Sequence, residues 1–398
     1  MASEKINSNL FWVGSHDPHL RRFDIVMETK YGSTYNSYIF ESNGEYALID
    51  GSKLGFEEEW LGNIKEVVAV EKISTMVVQH TEPDHSSAIA ELLKINPNIQ
   101  IYGSPLAMAN LREIVNHPFN AHVIKDGEKI TIGDDTLEFI VAPNLHWPDT
   151  IFTYIEKQKY LFTCDFFGAH ICVEPMALSA IAQKKEYAES FKVYFDAIMS
   201  PFKPFVRVGL AKIRNLKIDY ILNSHGPYLD SPEAIRNAQN LYQKWAEQPV
   251  RLRKKVTMVY CSNYGYTKLI AEAMAEAIKE YDVEFKMYDI VESATSDMVA
   301  DIEDADGILF GSPTIVADVI RPVYDLMNEL NPFVMMNKIA GAFGSYGWSG
   351  EAVGNLLTRA KQLKMKTIDD GFKVRLNPTA DDLVRAKAYA ANFVNGLY

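Results

Sequence analysis

Residues 79 to 87 read QHTEPDHSS, so His80, Glu82, Asp84 and His85 put two imidazoles and two carboxylates within six positions. All four are metal donors. The run TMVVQH reads as a buried strand that delivers His80 at its carboxyl end. Side chains two apart in extended chain share a face, so His80 and Glu82 can reach one ion. Pro83 then turns the chain, and Asp84 and His85 point elsewhere before a helix starts at SSAIAELL. One loop therefore predicts two adjacent metal subsites. Taken singly, each residue is more often a cap or a satisfied core group, and Asp84 or Ser86 would cap that helix. Three further polar groups at the ends of apolar strands favour the metal: His146 in APNLHWPDT, Asp165 in YLFTCDFFG and His225 in YILNSHGPY.

A second set of loops lies after residue 255. In YCSNYGYTKLIAEAM a strand passes through Ser262, Asn263, Tyr264, Gly265, Tyr266 and Thr267 into a helix. Backbone N–H groups at a helix start, with hydroxyls beside them, hold a phosphate without a lysine. There is no GxxxxGK and no GxGxxG, so nucleoside triphosphate and dinucleotide sites have no support. Two more loops leave neighbouring strands: Ser312, Pro313, Thr314 and Ile315 in GSPTIVADV, and Ser345, Tyr346, Gly347, Trp348, Ser349 and Gly350 in GSYGWSGEA. Small and aromatic residues in such loops suit a flat ring held between backbone and side chains.

These residues need elements to position them. Over the first 250 residues, LFWVGS, TYNSYIFES, YALIDG, TMVVQH, IQIYGS, TLEFIVAP, IFTYIEKQKYLFTCD and IDYILNSHG read as strands, bounded by Gly, Asn, Asp or Pro. Helical patterns such as PLAMANLREIVN lie between several of them. A proline and a basic run, PVRLRKK at 249 to 255, read as a linker. From 255 to 398 strands alternate with helices: KVTMVYCS, VEFKMYDI, DGILFGSPT, KIAGAFGSYGW and GFKVRLNP, with TKLIAEAMAEAIKEY, RPVYDLMNEL and GEAVGNLLTRAKQL among them. That alternation predicts a doubly wound parallel sheet whose ligand sits beyond the carboxyl ends of the strands. Two domains, 1–250 and 255–398, are expected.

Composition narrows the function. The 398 residues are too many for one ordinary core. A formal charge of −12 argues against nucleic acid or an anionic membrane as partner. No apolar run is long enough to span a bilayer, and the opening MASEKINSNLFWVGS lacks the basic and apolar regions of an export signal. The three cysteines (Cys164, Cys172, Cys261) form no CxxC, which disfavours disulfides, a thiolate zinc site and an iron–sulfur centre. A reducing cytoplasm is expected.

The pattern His80-x-Glu82-x-Asp84-His85, followed by His146, Asp165 and His225, resembles the metallo-β-lactamase fold in its flavodiiron version. The hydrolases of that superfamily carry His-x-His-x-Asp-His, and Glu82 stands here at the second histidine position. Three carboxylates and four imidazoles move preference from zinc towards iron or manganese. Two ferrous ions against three carboxylates leave a net charge near +1, which tolerates oxidation. The resemblance implies His80, Glu82 and His146 on one iron, Asp84, His85 and His225 on the other, and Asp165 between them. His170 in DFFGAH and Tyr194 in KVYFDAIMSPF are candidates to line the substrate pocket, with plain core packing as the equal alternative.

The second half resembles a flavodoxin, and its three loops are similar in order and spacing to that family's flavin mononucleotide (FMN) site. Both resemblances together cover nearly the whole chain, in the domain order of flavodiiron proteins. They imply an αββα sandwich followed by a flavodoxin-like sheet. They also imply an oxidoreductase passing electrons from FMN to a non-haem diiron site that reduces dioxygen to water, nitric oxide to nitrous oxide, or both. Rubredoxin or reduced deazaflavin would be the donor.

Domains of this size have radii of gyration of roughly 18 and 15 Å, so end to end they could separate the cofactors by about 40 Å. A head-to-tail homodimer, which the family resemblance also implies, brings each flavin to the partner's metals, with Trp348 at the crossing; pairing of such dimers is a further stage. Two rival readings remain at this stage. One is a zinc-dependent hydrolase with an attached flavodoxin, which Glu82 opposes. The other is a flavin electron carrier or redox sensor whose first half only docks, which the complete ligand set opposes.

Overall fold

The computed structural model describes residues 3–25, 27–247 and 251–398. Two compact units divide between Glu247 and Gln248. Among the described residues no helix is long and apolar enough to cross a membrane.

In the first unit, strands with period-2 alternation build two sheets. One runs in the order Glu4–Lys5, Leu10–Trp12, Tyr38–Ser42, Glu45–Ile49, Thr75–Val77, Gln100–Gly103 and Asn120–Val123. The other runs Lys129–Ile132, Asp135–Val141, Ile151–Ile155, Tyr160–Cys164 and Tyr220–Asn223. Alternation decides which side each residue fills. Tyr38, Phe40, Ala47, Ile49 and Val77 face the inner core with Leu137, Phe139 and Phe162 of the second sheet. Their neighbours Ile39, Leu48 and Met76 face the helices Glu57–Val67, Ile89–Ile95 and Pro105–Val115. Helices Lys184–Tyr194, Lys203–Ile213 and Pro232–Trp245 give Phe191, Val206 and Tyr242 to the core on the second sheet's side. This is the expected αββα sandwich.

The expected long strand TMVVQH is shorter, ending at Val77, so His80 stands on the loop beyond it. The helix expected from Ser86 is also different. Pro83–Ser86 forms one turn, and a separate helix starts at Ile89. Neither start has a side-chain cap, which removes the capping explanation for Asp84. Ser86 instead donates to the carbonyls of Thr81 and Glu82 at 2.9 and 3.0 Å.

The second unit is the expected doubly wound sheet. Its five main strands pair in parallel in the order Val283–Asp289, Lys254–Tyr260, Gly307–Gly311, Ile339–Tyr346 and Phe372–Arg375. Numbered along the chain this is 2-1-3-4-5, whose switch point lies between the first and third strands. Of the expected linker, Pro249 and Val250 lie outside the described residues, and Lys254 and Lys255 belong to the first strand rather than to a linker. The reason is pairing. The Lys255 ammonium is buried and is held by Asp301 at 2.6 Å and Asp304 at 2.8 Å. Those acids come from helix Thr295–Asp304, which sequence periodicity did not single out, as only Met298 and Ile302 of it are buried.

Candidate functional site

Loops at the carboxyl ends of Thr75–Val77, Asp135–Val141, Tyr160–Cys164 and Tyr220–Asn223 bring all seven candidate ligands into one buried pocket. Two backbone features aim them. A register shift between Phe162 and Cys164, with Cys164 in the left-handed region (φ 50°), turns Asp165 out of its strand. At Gly51 the chain passes so close to the metal loop that a Cβ would stand 2.7 Å from the His85 carbonyl oxygen.

Two donor groups result. His80, Glu82, His146 and Asp165 converge in one; Asp84, His85 and His225 in the other. Asp165 joins them. Its Oδ2 is 2.8 Å from His146 Nε2 and 3.5 Å from His80 Nε2, while its Oδ1 is 3.0 Å from His85 Nε2 and 3.5 Å from His225 Nε2. Glu82 Oε2 closes the first group at 3.2 Å from His80 Nε2 and 3.0 Å from His146 Nε2. Asp84 closes the second at 3.4 Å from His85 Nε2 and 3.3 Å from His225 Nε2. Donors at right angles around an ion with bonds of about 2.1 Å lie about 3 Å apart, so these separations suit a metal in each group.

Unused bonding capacity points the same way. Both Asp84 oxygens and His225 Nε2 are buried without a hydrogen-bond partner. Burial pushes the His80 and His146 rings down, yet the facing carboxylates outweigh it and hold both pKa values up at about 10. His85 is held up at about 9 by Asp84 and Asp165 against the same opposition of burial. Burial raises Glu82 and Asp165, but the neighbouring imidazoles pull both well below the usual carboxylate range. The pocket is built for positive charge. Protons can supply it, and two cations do so with bonds the buried oxygens otherwise lack.

His170 and Tyr194 lie beside the second group. The His170 ring is 4.6 Å from His225 and 5.0 Å from Tyr194, and its Nδ1 is 2.8 Å from Ser33 Oγ. Burial and His225 hold His170 far below its ordinary pKa, so the ring is neutral, and its buried Nε2 has no partner. Burial raises the Tyr194 phenol well above its usual value. Tyr194 ends its helix where a π-helical turn, Phe195–Met199, begins.

Sequence reasoning missed the groups behind the ligands. Asp149 accepts from His80 Nδ1, and the Asp50 oxygens accept from Gln79 N and Nε2 at 2.8 and 2.9 Å. An Asp after a proline reads as an ordinary turn residue. The available signal for Asp149 was its place three residues after His146 on the same loop.

In the second unit, the three loops leave the carboxyl ends of the first, third and fourth strands. Helix Tyr266–Ile278 starts from Gly265 (φ 86°), with no acidic residue in its first turn. Tyr266 and Thr267 are therefore helical rather than part of the loop. Ser262 Oγ accepts from Lys268 N at 3.2 Å, and buried Thr267 Oγ1 is 2.8 Å from Ser345 Oγ. Ser345 and Tyr346 finish the fourth strand. Ser312 Oγ is used internally, donating to the Pro313 carbonyl at 2.8 Å, and Thr314–Ile315 pairs with Asp318–Val319 in a small hairpin. Gly347, Trp348, Ser349 and Gly350 (φ 83°) form the third loop; Asn263 lies between Ser262 and Tyr264 on the first. Tyr264 and Trp348 are 85% and 79% exposed. Two such bare aromatic faces beside a helix start free of acidic residues fit an aromatic ring system carrying a phosphate.

A dinuclear pocket in one unit and a flavin-type crevice in the next define a two-cofactor redox protein. Comparison with known proteins reaches the same class. A model described as ODP family beta lactamase matches residues 34–226, and the flavodoxin model matches residues 258–387. The chain is 37% identical to flavo-diiron protein FprA2 of Clostridium acetobutylicum, covering 100% of both. It is 31% identical to the anaerobic nitric oxide reductase flavorubredoxin of an Enterobacter species, over 95% of this chain and 78% of that protein. Among solved structures, the rubredoxin oxygen:oxidoreductase of Desulfovibrio gigas superposes with a TM-score of 0.66 at 26% identity, over 99% of this chain and 98% of that one. The chain belongs to the flavo-diiron protein family.

Proposed function

We propose that His80, Glu82 and His146 hold one iron, Asp84, His85 and His225 the other, and Asp165 bridges them. The observation that carries this reading is that each Asp165 oxygen faces a different histidine pair. The protein is an oxidoreductase of the flavodiiron type, with FMN and a non-haem diiron pair as cofactors, that reduces dioxygen, nitric oxide or both. When bound by these loops, FMN would supply electron relay from a donor, and iron in the seven-ligand pocket would supply the centre for gas reduction. The chain's own residues do the rest. Three carboxylates offset the charge of two divalent ions, leaving a net charge near +1. Apolar walls, Phe23 at 4.5 Å from the His170 ring among them, exclude bulk water. Neutral His170, with Tyr194 beside it, offers polar atoms to a diatomic substrate.

We assign the phosphate to the start of helix Tyr266–Ile278 with Ser262 and Thr267, and the ring to Tyr264, Thr314 and Trp348; the acid-free first turn and the exposed faces of Tyr264 and Trp348 support this. An external donor such as rubredoxin or reduced deazaflavin, a cytoplasmic setting and a head-to-tail homodimer complete the reading. The relatives named for oxygen and nitric oxide reduction support both gases. Anaerobic turnover of iron-replete protein with a reduced donor, each gas offered separately, tests it. Bound zinc without iron and no turnover with either gas would overturn it.

A further inference from the structure

The two metal subsites are backed unequally. On the first, the Asp149 carboxylate is fully buried and accepts three donors: His80 Nδ1 at 3.1 Å, Thr81 N at 2.9 Å, and the Thr81 hydroxyl. That hydroxyl in turn accepts from Asn110 Nδ2 at 3.0 Å, which ties the group to helix Pro105–Val115. The same loop supplies His146, and Ile151 N donates to the Gln79 carbonyl at 2.9 Å, so this loop is tied to the one that carries His80 and Glu82. On the second subsite, His225 Nδ1 has only neutral oxygens, the Thr34 carbonyl at 2.7 Å and Ser33 Oγ at 3.3 Å. His85 Nδ1 is buried with no partner at all.

From this asymmetry we propose that Asp149 is the positioning residue that makes the His80–Glu82–His146 subsite fill with metal before the Asp84–His85–His225 subsite. This rests on the dinuclear assignment above. A carboxylate can only accept, so it fixes the proton on His80 Nδ1 and leaves the Nε2 lone pair for metal. Its negative charge also makes that imidazole a stronger donor. No hydrogen bond orders the ring of His85: the buried Asp50 carboxylate is the nearby charge, but its oxygens accept from Gln79 N and Nε2.

Asparagine at 149 separates the two effects from shape. If its oxygen stays on Thr81 N, its amide faces His80 Nδ1 and selects the Nε2–H tautomer, which cannot ligate. If it flips, its amide meets the Thr81 N–H. Either way the first subsite alone is weakened, by about 10- to 100-fold.

The test is titration of full-length apoprotein, with FMN retained, by Co(II), followed by its visible absorption. Wild type is expected to bind two Co(II) in separate steps. The tight step should survive in His225→Asn and vanish in His146→Asn, which decides the order of filling without any change at Asp149. In Asp149→Asn the tight step should weaken 10- to 100-fold with the weaker one unmoved, and Thr81→Val, which removes one of the three donors, should give a smaller loss in the same step. A merely structural role would weaken both steps, and that result overturns the proposal. So does a tight step that persists in His146→Asn. Uptake of fewer than two Co(II) by wild type would overturn the dinuclear assignment itself, and this proposal with it.

Discussion

Asp165 is the residue on which both halves of the metal pocket depend, because its two oxygens face different histidine pairs. Its replacement by alanine removes a donor from each group at once, whereas His146→Asn removes a donor from the first group only. We expect Asp165→Ala to hold less than one iron per chain and His146→Asn about one, each lost contact costing about 3 kcal/mol or a hundredfold in metal binding. Gas reduction should be abolished in both, and flavin content unchanged, since the flavin loops lie in the other unit. Iron analysis beside flavin absorbance checks this; two irons in Asp165→Ala would remove the bridging role. The ligands were legible in the sequence because polar donors at the ends of apolar strands are rare. Asp149 and Asp50 were not, because the groups they accept from, His80, Thr81 and Gln79, lie far away in sequence.

At the level of elements, two contacts lend themselves to measurement. Gly51 donates its N–H to the His85 carbonyl at 2.9 Å, and a methyl there would stand 2.7 Å from that same oxygen and 2.9 Å from Ile89 Cγ1. Gly51→Ala must therefore push the Pro83–Ser86 turn away. Overpacking of this kind costs about 1 to 3 kcal/mol, and iron content should fall with thermal stability; an unchanged iron content would show that the turn yields without moving its ligands. The second contact is Asp301 with Lys255, Lys286 and Tyr288. Burial raises the Asp301 pKa, but hydrogen bonds from those three groups outweigh it and hold the carboxyl well below the usual range. A depressed carboxyl stabilises the fold above its unfolded pKa of about 4 and loses that contribution as pH falls through the lower folded value. Asp301→Asn should cost about 2 kcal/mol at pH 7, less than a fully broken buried pair because Asp304 remains on Lys255. The gap between wild type and variant should narrow below pH 4. Denaturant unfolding at pH 7 and pH 3 measures it, and an equal gap at both would assign the cost to packing instead.

For the molecule as a whole, flavin crevice and metal pocket belong to different compact units, and the proposed head-to-tail dimer is tested by complementation between chains. In a head-to-tail dimer, a chain lacking His80 and a chain lacking flavin complement each other. Thr267→Asp supplies the second: Thr267 is buried in the first turn of its helix, and a carboxylate there repels a phosphate. Random assortment makes about half of the dimers mixed, each with one working pair of two, so recovery of about a quarter of wild-type activity is expected at equal mixing. No recovery after confirmed subunit exchange would place transfer within one chain.

The sequence by itself determined the fold class, the order of the two units and the residues able to bind metal. Those are properties of period-2 and helical patterning and of donor residues at strand ends, which need only local information. The tertiary structure decided which elements carry those donors and what backs them. His80 sits three residues beyond its strand rather than on it, and Lys255 lies inside a strand because Asp301 and Asp304 neutralise it from a helix more than forty residues away. It also decided that one metal subsite is buttressed by a buried carboxylate while the other rests on neutral oxygens and one unpartnered ring. Such differences arise from long-range contacts between loops, whose partners no local pattern encodes.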